Sequence, residues 1–144
     1  MIVEIEICTK IDDEVINAFT RLLPQLSKTS ESPAHKDLEE IIGHSACNVL
    51  LARAEKKIVG SLTLVIFPLP TGKRAWIEDV VVDKSIRGLG VGEKLNLAAI
   101  KIAKKQGVRT IDLTSRPSRE AAIGYISGSG LKNALQMFIG MRAD

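Results

Sequence analysis

The segment Asp83-Lys84-Ser85-Ile86-Arg87-Gly88-Leu89-Gly90-Val91-Gly92-Glu93 carries the clearest chemical signal in the chain. Glycines let backbone N–H groups point into one concavity and let a ligand come close. A helix beginning inside the turn adds about half a positive charge at its N-terminus. Together these features make an anion site suited to phosphate or pyrophosphate. Two familiar phosphate loops are excluded by spacing. A G-x4-G-K loop counted from Gly88 demands glycine where Glu93 stands, and so does G-x-G-x-x-G. What remains is Arg87-x-x-Gly90-x-Gly92, with the basic residues Lys84, Arg87 and Lys94 in and beside the turn. A plain tight turn is the simpler alternative. Just upstream, Glu78 and Asp79 interrupt an apolar run, and paired carboxylates are residue types that move protons.

These residues need a strand before them and a helix after them. Ala75 to Val82 reads as an apolar strand broken by Glu78-Asp79. Leu95, Ala98, Ala99, Ile102 and Ala103 form one apolar stripe at helical spacing, with Lys94, Lys101, Lys104 and Lys105 off it. Gly107 stands where a left-handed helix terminator belongs. Val108 to Thr114 is the next strand. Upstream, Val3 to Cys8 alternates like a half-buried strand. Asp12 or Asp13 caps a helix through Val15, Phe19 and Leu22 that is expected to stop near Pro24. A polar loop from Gln25 to Pro33 precedes a short helix, His35 to Ile42. Strands Asn48 to Arg53 and Ile58 to Phe67 are joined by the turn Ala54 to Lys57, and Pro68 to Lys73 is a loop. A last helix starts near Pro117 or Ser118 and carries Ala121, Ala122 and Tyr125, and Ala134 to Met141 is a final strand. The order β-α-α-β-β-β-α-β-α-β predicts an α+β domain with one clear crossover, from Val82 to Val108.

Composition narrows the partners. With 144 residues the chain fits one domain, and 45% hydrophobic residues suffice for a core. Only 3% are aromatic, which argues against surfaces that stack bases or cage quaternary ammonium groups. A net charge of +3 favours an anionic ligand but does not single out nucleic acid. Cys8 and Cys47 make neither a disulfide framework nor a zinc pair and read as reduced thiols. His35 and His44 are isolated, so no metal is expected. The N-terminus has early carboxylates and no basic stretch, and no run of about 18 apolar residues occurs. Neither a leader nor a membrane span is expected, and a cytoplasmic location follows by default.

The stretch from Trp76 to Gly92 resembles the GNAT superfamily of acyl-CoA-dependent N-acetyltransferases, whose hallmark is [QR]-x-x-G-x-[GA] between a central strand and a helix. The order of elements matches along essentially the whole chain, 1–144, as one GNAT domain. The resemblance implies a central, mixed, mostly antiparallel twisted sheet with helices on both faces. It implies acetyl-CoA as cosubstrate, its pyrophosphate held by the turn: Arg87, Gly88, Leu89, Gly90, Val91, Gly92, with Lys94 near the phosphates. It also implies that the strand backbone at Val80, Val81 and Val82 pairs with the pantetheine arm. The acceptor would be an amine of a small molecule or peptide, and a homodimer is common in the family.

Acetyl transfer to an amine needs a base, a polarised thioester carbonyl and release of a thiolate. Glu78 and Asp79 are the candidate bases, and strand alternation is expected to send them to opposite faces. The Ile-Glu-Asp-Val-Val-Val string looks like one in glucosamine-6-phosphate acetyltransferases, where the Glu-Asp pair lies at the substrate site. An N–H of Val80 or Val81 would polarise the carbonyl. Many family members read A-A-N-x-L-Y-x-x-x-G-[FY] near the end, the tyrosine protonating the thiolate. Here Ala121-Ala122 and Gly130 align Ile126 with that tyrosine, which leaves Tyr125 one step, about 100°, out of register. Tyr125 is the chain's one tyrosine, and its role as acid is open. Arg116 and Arg119 are further candidates for the phosphate end or for an acidic substrate. The expectation is direct transfer in a ternary complex, and the alternative is a CoA-binding sensor or regulatory module that has lost turnover.

Overall fold

The computed structural model describes residues 1–28, 31–115 and 136–141. The elements are β1 (Val3–Ile7), α1 (Asp13–Leu26), α2 (His35–Gly43), β2 (Cys47–Ala54), β3 (Lys57–Phe67) and β4 (Arg74–Val82). A one-turn 3-10 helix (Lys84–Ile86) leads to α3 (Val91–Lys105), β5 (Thr110–Ser115) and β6 (Gln136–Met141). The fourth helix expected around Tyr125 lies outside the described residues.

The strands form one sheet in the order β1-β2-β3-β4-β5-β6. β1 to β4 pair antiparallel, and β5 and β6 continue the sheet in parallel pairs. One face carries α1 and α2, whose Val15, Phe19, Leu22 and Leu38 cluster with Val49, Leu51 and Val81. The other carries α3, whose Leu95, Ala99, Ile100 and Ala103 cluster with Leu50, Leu62, Leu64, Ile77 and Ile111. The sheet is therefore mixed, mostly antiparallel and covered by helices on both faces, the expected α+β, three-layer arrangement.

Local chemistry explains the boundaries. The Asp12 carboxylate accepts from Val15 N at 3.0 Å and caps α1. The helix was expected to end near Pro24 but runs to Leu26 with Pro24 inside it. A proline this close to the end forfeits one backbone bond. The last turn is held by Leu22, fully buried, and by Gln25, whose Oε1 accepts from Lys84 N at 2.8 Å. α3 ends as expected, with Gly107 at φ 77 and Val108 N donating to Ala103 O. β5 begins at Thr110, two residues later than expected, because Val108 belongs to that helix stop and Arg109 N bonds Lys73 O.

Candidate active site

β4 changes character along its length. From Arg74 to Ile77 it is paired with β5, Arg74 opposite Thr110 and Ile77 opposite Leu113. Beyond Ile77 it pairs with β3, Val81 opposite Ser61 and Val82 opposite Gly60, while no further β4–β5 register pair follows. The strands part at a bulge. Thr63 faces Glu78 and Ser61 faces Val81, three steps on β4 against two on β3. Asp79 sits in the bulge at φ 51, a left-handed conformation that aspartate tolerates better than most side chains.

The bulge reverses the side-chain order. Ala75 and Ile77 enter the cluster under α3, so alternation sends Arg74, Trp76 and Glu78 to the α1 side. After the bulge Val81 joins the α1 cluster, and Val80 and Val82 pack on the α3 side. Plain alternation through Glu78 and Asp79 therefore does not describe this strand. Glu78 is half-buried, whereas Asp79 is exposed at the point where the register breaks.

The glycine turn follows directly. Asp83 is buried, and its carboxylate accepts from Ser85 N and Ser85 Oγ, each at 3.1 Å. Arg21 of α1 reaches it with Nε at 3.3 Å and donates a second bond to Ile58 O. Hydrogen bonds from Ser85, then the charge and hydrogen bond of Arg21, outweigh desolvation and hold the Asp83 carboxyl below the usual aspartate range. The chain next passes Arg87, whose Nε donates to Val82 O at 3.2 Å.

Gly88 and Gly90 both lie at φ 83, and Gly90 is the N-cap of α3. A Cβ at either would meet nothing within 4 Å. Glycine is required here by conformation rather than by crowding, and the space beside both residues is open. The N–H groups of that turn have no intrahelical acceptors. Lys84, Arg87, Leu89 and Lys94 are exposed around it, Leu89 at 59%. One helical turn after Gly92, Asn96 is buried. Its Nδ2 donates to Gly92 O at 2.8 Å, while its Oδ1 has no partner among the described residues. Gly92 itself faces Val82, with a built Cβ 3.7 Å from that side chain, which places Asn96 on the flank toward the parted half of β4.

The turn, the parting and the bulge are thus contiguous, and a family model described as the acetyltransferase (GNAT) family matches residues 13–130. The chain belongs to the GNAT family of acetyltransferases. A stretch of 62 residues is 45% identical to a glucosamine 6-phosphate N-acetyltransferase of Trypanosoma brucei brucei, covering 41% of this chain and 42% of that relative's length. Among solved structures, an aminoglycoside acetyltransferase from an uncultured soil metagenomic sample, in complex with sisomicin, matches with a TM-score of 0.76 at 22% identity. That match covers 89% of this chain and 87% of the other. A transcriptional regulator from Bacillus halodurans C-125 matches with a TM-score of 0.74 at 25% identity, over 99% of each chain.

GNAT proteins generally use acetyl-CoA, and this site fits such a cosubstrate. The open glycine turn, the bare helix N-terminus and the orphaned Asn96 oxygen are what a pyrophosphate with an amide-bearing arm can satisfy. Among the described residues no group of three or more His, Cys, Asp or Glu is placed to hold a metal, and no helix is long and apolar enough to cross a membrane. His35 and His44 are exposed, His35 Nε2 lying 3.1 Å from Ile11 O. Lys101, Lys104 and Lys105 form an exposed face. Tyr125, Arg116 and Arg119 lie outside the described residues.

Three features escaped the sequence reading: the clasp of Arg21 on Asp83 and of Gln25 on Lys84 N, Asn96, and an ion pair between Arg74 and Asp112 at 3.1 Å. Asn96 and Asp112 had a signal available. Asn96 follows Leu95 directly at the edge of the apolar stripe, and Asp112 stands between the apolar Ile111 and Leu113. The clasp had none, since its partners are 62 and 59 residues apart.

Proposed function

We propose that this GNAT chain is a single-domain N-acetyltransferase, moving an acetyl group from acetyl-CoA to a primary amine in a ternary complex. The observation that carries this is the adjacency of the open glycine turn to the place where β4 leaves β5 at a carboxylate-bearing bulge. The names of the similar proteins, which act on glucosamine 6-phosphate and bind sisomicin, support an amine on a small hydroxylated molecule.

Bound acetyl-CoA would supply an activated thioester. The turn from Arg87 to Gly92 holds its pyrophosphate with backbone N–H groups and the α3 dipole, and Lys84, Arg87 and Lys94 are the nearby cations. The backbone from Val80 to Val82 aligns the arm, and a Val80 or Val81 N–H stabilises the developing oxyanion. Glu78, half-buried on the α1 side, takes the proton that the amine loses as its N–C bond forms, directly or through water. Asp79 gives the bulge its left-handed residue. The leaving sulfur regains a proton from Tyr125 or from solvent.

The test is acetyl-CoA-dependent thiol release across amino sugars, polyamines, amino acids and peptide N-termini. Acceptor-dependent release is expected for at least one class. A second reading, a CoA-binding regulatory module, is favoured by the likeness to a transcriptional regulator. It predicts that CoA raises Tm while no acceptor releases thiol above background, and that result would overturn the enzyme reading.

A further inference from the structure

On the α1 side of the sheet, away from the cosubstrate turn, β5 carries a buried charge with an unmet bond. Ile111 and Leu113 enter the cluster under α3, so Asp112 between them faces the side that carries Glu78. Its residue is 6% exposed. Oδ2 accepts from Arg74 Nη2 at 3.1 Å, and Arg74 Nε donates to Thr110 Oγ1 at 3.2 Å. Oδ1 is buried and has no partner among the described residues. Folded proteins leave few such atoms, because a buried acceptor without a donor loses its hydration with nothing in return.

We propose that Asp112, held by Arg74, is an acceptor-recognition residue that takes a hydroxyl of a cyclic hydroxylated amine of the amino-sugar class. The proposal rests on the acetyltransferase reading above. An ionised carboxylate only accepts hydrogen bonds, so its partner must be a donor. Arg74 already balances its charge, which leaves a neutral hydroxyl as the better match than a second cation. Arg74 is the solvent-facing member of the pair, its side chain 40% exposed against 8% for that of Asp112. Trp76 stands in register with Asp112 and is half-buried on the same face, a flat apolar surface for the carbon face of a ring. Glu78 is two positions farther along β4, roughly 7 Å away at strand spacing. Asp112 stands one strand over from Trp76, about 5 Å to the side, so anchor and base are roughly 8 Å apart, a span for an amine and a ring hydroxyl on opposite edges of one six-membered ring. Arg74, Trp76, Glu78 and Asp112 thus lie on one face, as hydroxyl anchor, ring platform and base.

The test compares glucosamine with cyclohexylamine, which lacks the hydroxyls, and with spermidine, which lacks the ring, using the whole chain and acetyl-CoA. Wild type is expected to prefer glucosamine by kcat/KM. Asp112→Asn is expected to lower the glucosamine-to-cyclohexylamine ratio roughly 10- to 100-fold, the loss of one charge-assisted bond. The KM for acetyl-CoA should not move. Arg74→Lys keeps the balancing charge and should lower the ratio less. A purely structural pair would instead lower Tm and slow both acceptors in proportion, and an unchanged ratio overturns the proposal. Calorimetric binding of glucosamine in the presence of CoA separates the two levels. Binding that Asp112→Asn abolishes, with no turnover of any amine, sinks the enzyme reading and keeps the subsite. Turnover of spermidine or cyclohexylamine with neither binding nor turnover of glucosamine sinks the subsite and keeps the enzyme. Absence of binding and of all turnover overturns both. If Asp112→Asn fails to fold, Arg74→Lys and wild-type glucosamine binding decide alone.

Discussion

The two halves of β4 are one continuous strand with opposite duties. Arg74 to Ile77 is paired on both edges, and its inward residues Ala75 and Ile77 are at most 1% exposed. Glu78 to Val82 keeps β3 as its register partner, takes an extra residue at Asp79 and runs into a turn with two left-handed glycines. The first half spends its backbone on the sheet. The second has backbone and a half-buried carboxylate placed for ligands. Under the proposed function, the cosubstrate and the base meet at the place where the sheet stops being regular, and the regular half holds that place and presents the acceptor-side residues Arg74 and Trp76.

Substitutions that separate the halves sharpen the contrast. The largest effect is expected from Glu78→Gln, which should lower kcat by about 10²- to 10⁴-fold with acetyl-CoA binding and Tm preserved. Stopped-flow or steady-state rates with titrated CoA check this, and an unchanged kcat moves the base elsewhere. Ile77→Ala, one residue earlier, should do the reverse. It should lose about 2–5 kcal/mol of stability by denaturant melt, with kcat preserved in whatever fraction is folded. Gly90→Ala places a Cβ in open space at a positive φ, so about 1–2 kcal/mol of strain is expected. A raised KM for acetyl-CoA should accompany it. The smallest effect concerns acid. Because the folded Asp83 carboxyl is held below its ordinary value, it contributes stability that is present above that ordinary value. The contribution is lost as pH falls from about 4 toward and through the folded value. Asp83→Asn should start lower at neutral pH and show a flatter acid limb in Tm against pH.

What was legible in the chain follows the same division. The turn could be read because Gly88 and Gly90 encode their own backbone conformation, and α3 because its apolar stripe repeats at helical spacing. The strand order emerged from Ile58 to Phe67 and Ala75 to Val82, whose burial is set locally. The bulge could not be read, because Asp79 favours a left-handed state only weakly and the sheet decides it. Pro24 misled in the other direction, since contacts from Gln25 to Lys84 carry the helix past it. Asp112 was visible as a letter but not as an orphan, because a missing partner is a property of the folded neighbourhood.

Arg21 grips Asp83 across 62 residues of sequence, while Gln25 of the same helix accepts from the next backbone amide. α1 therefore covers the face that bears Glu78 and also braces the entrance to the glycine turn. Under the proposed function, a foreign first helix grafted to alter acceptor choice is expected to disturb the cosubstrate grip as well. Such a chimaera is expected to show its KM for acetyl-CoA shifting together with its acceptor preference unless Arg21 and Gln25 travel with the graft.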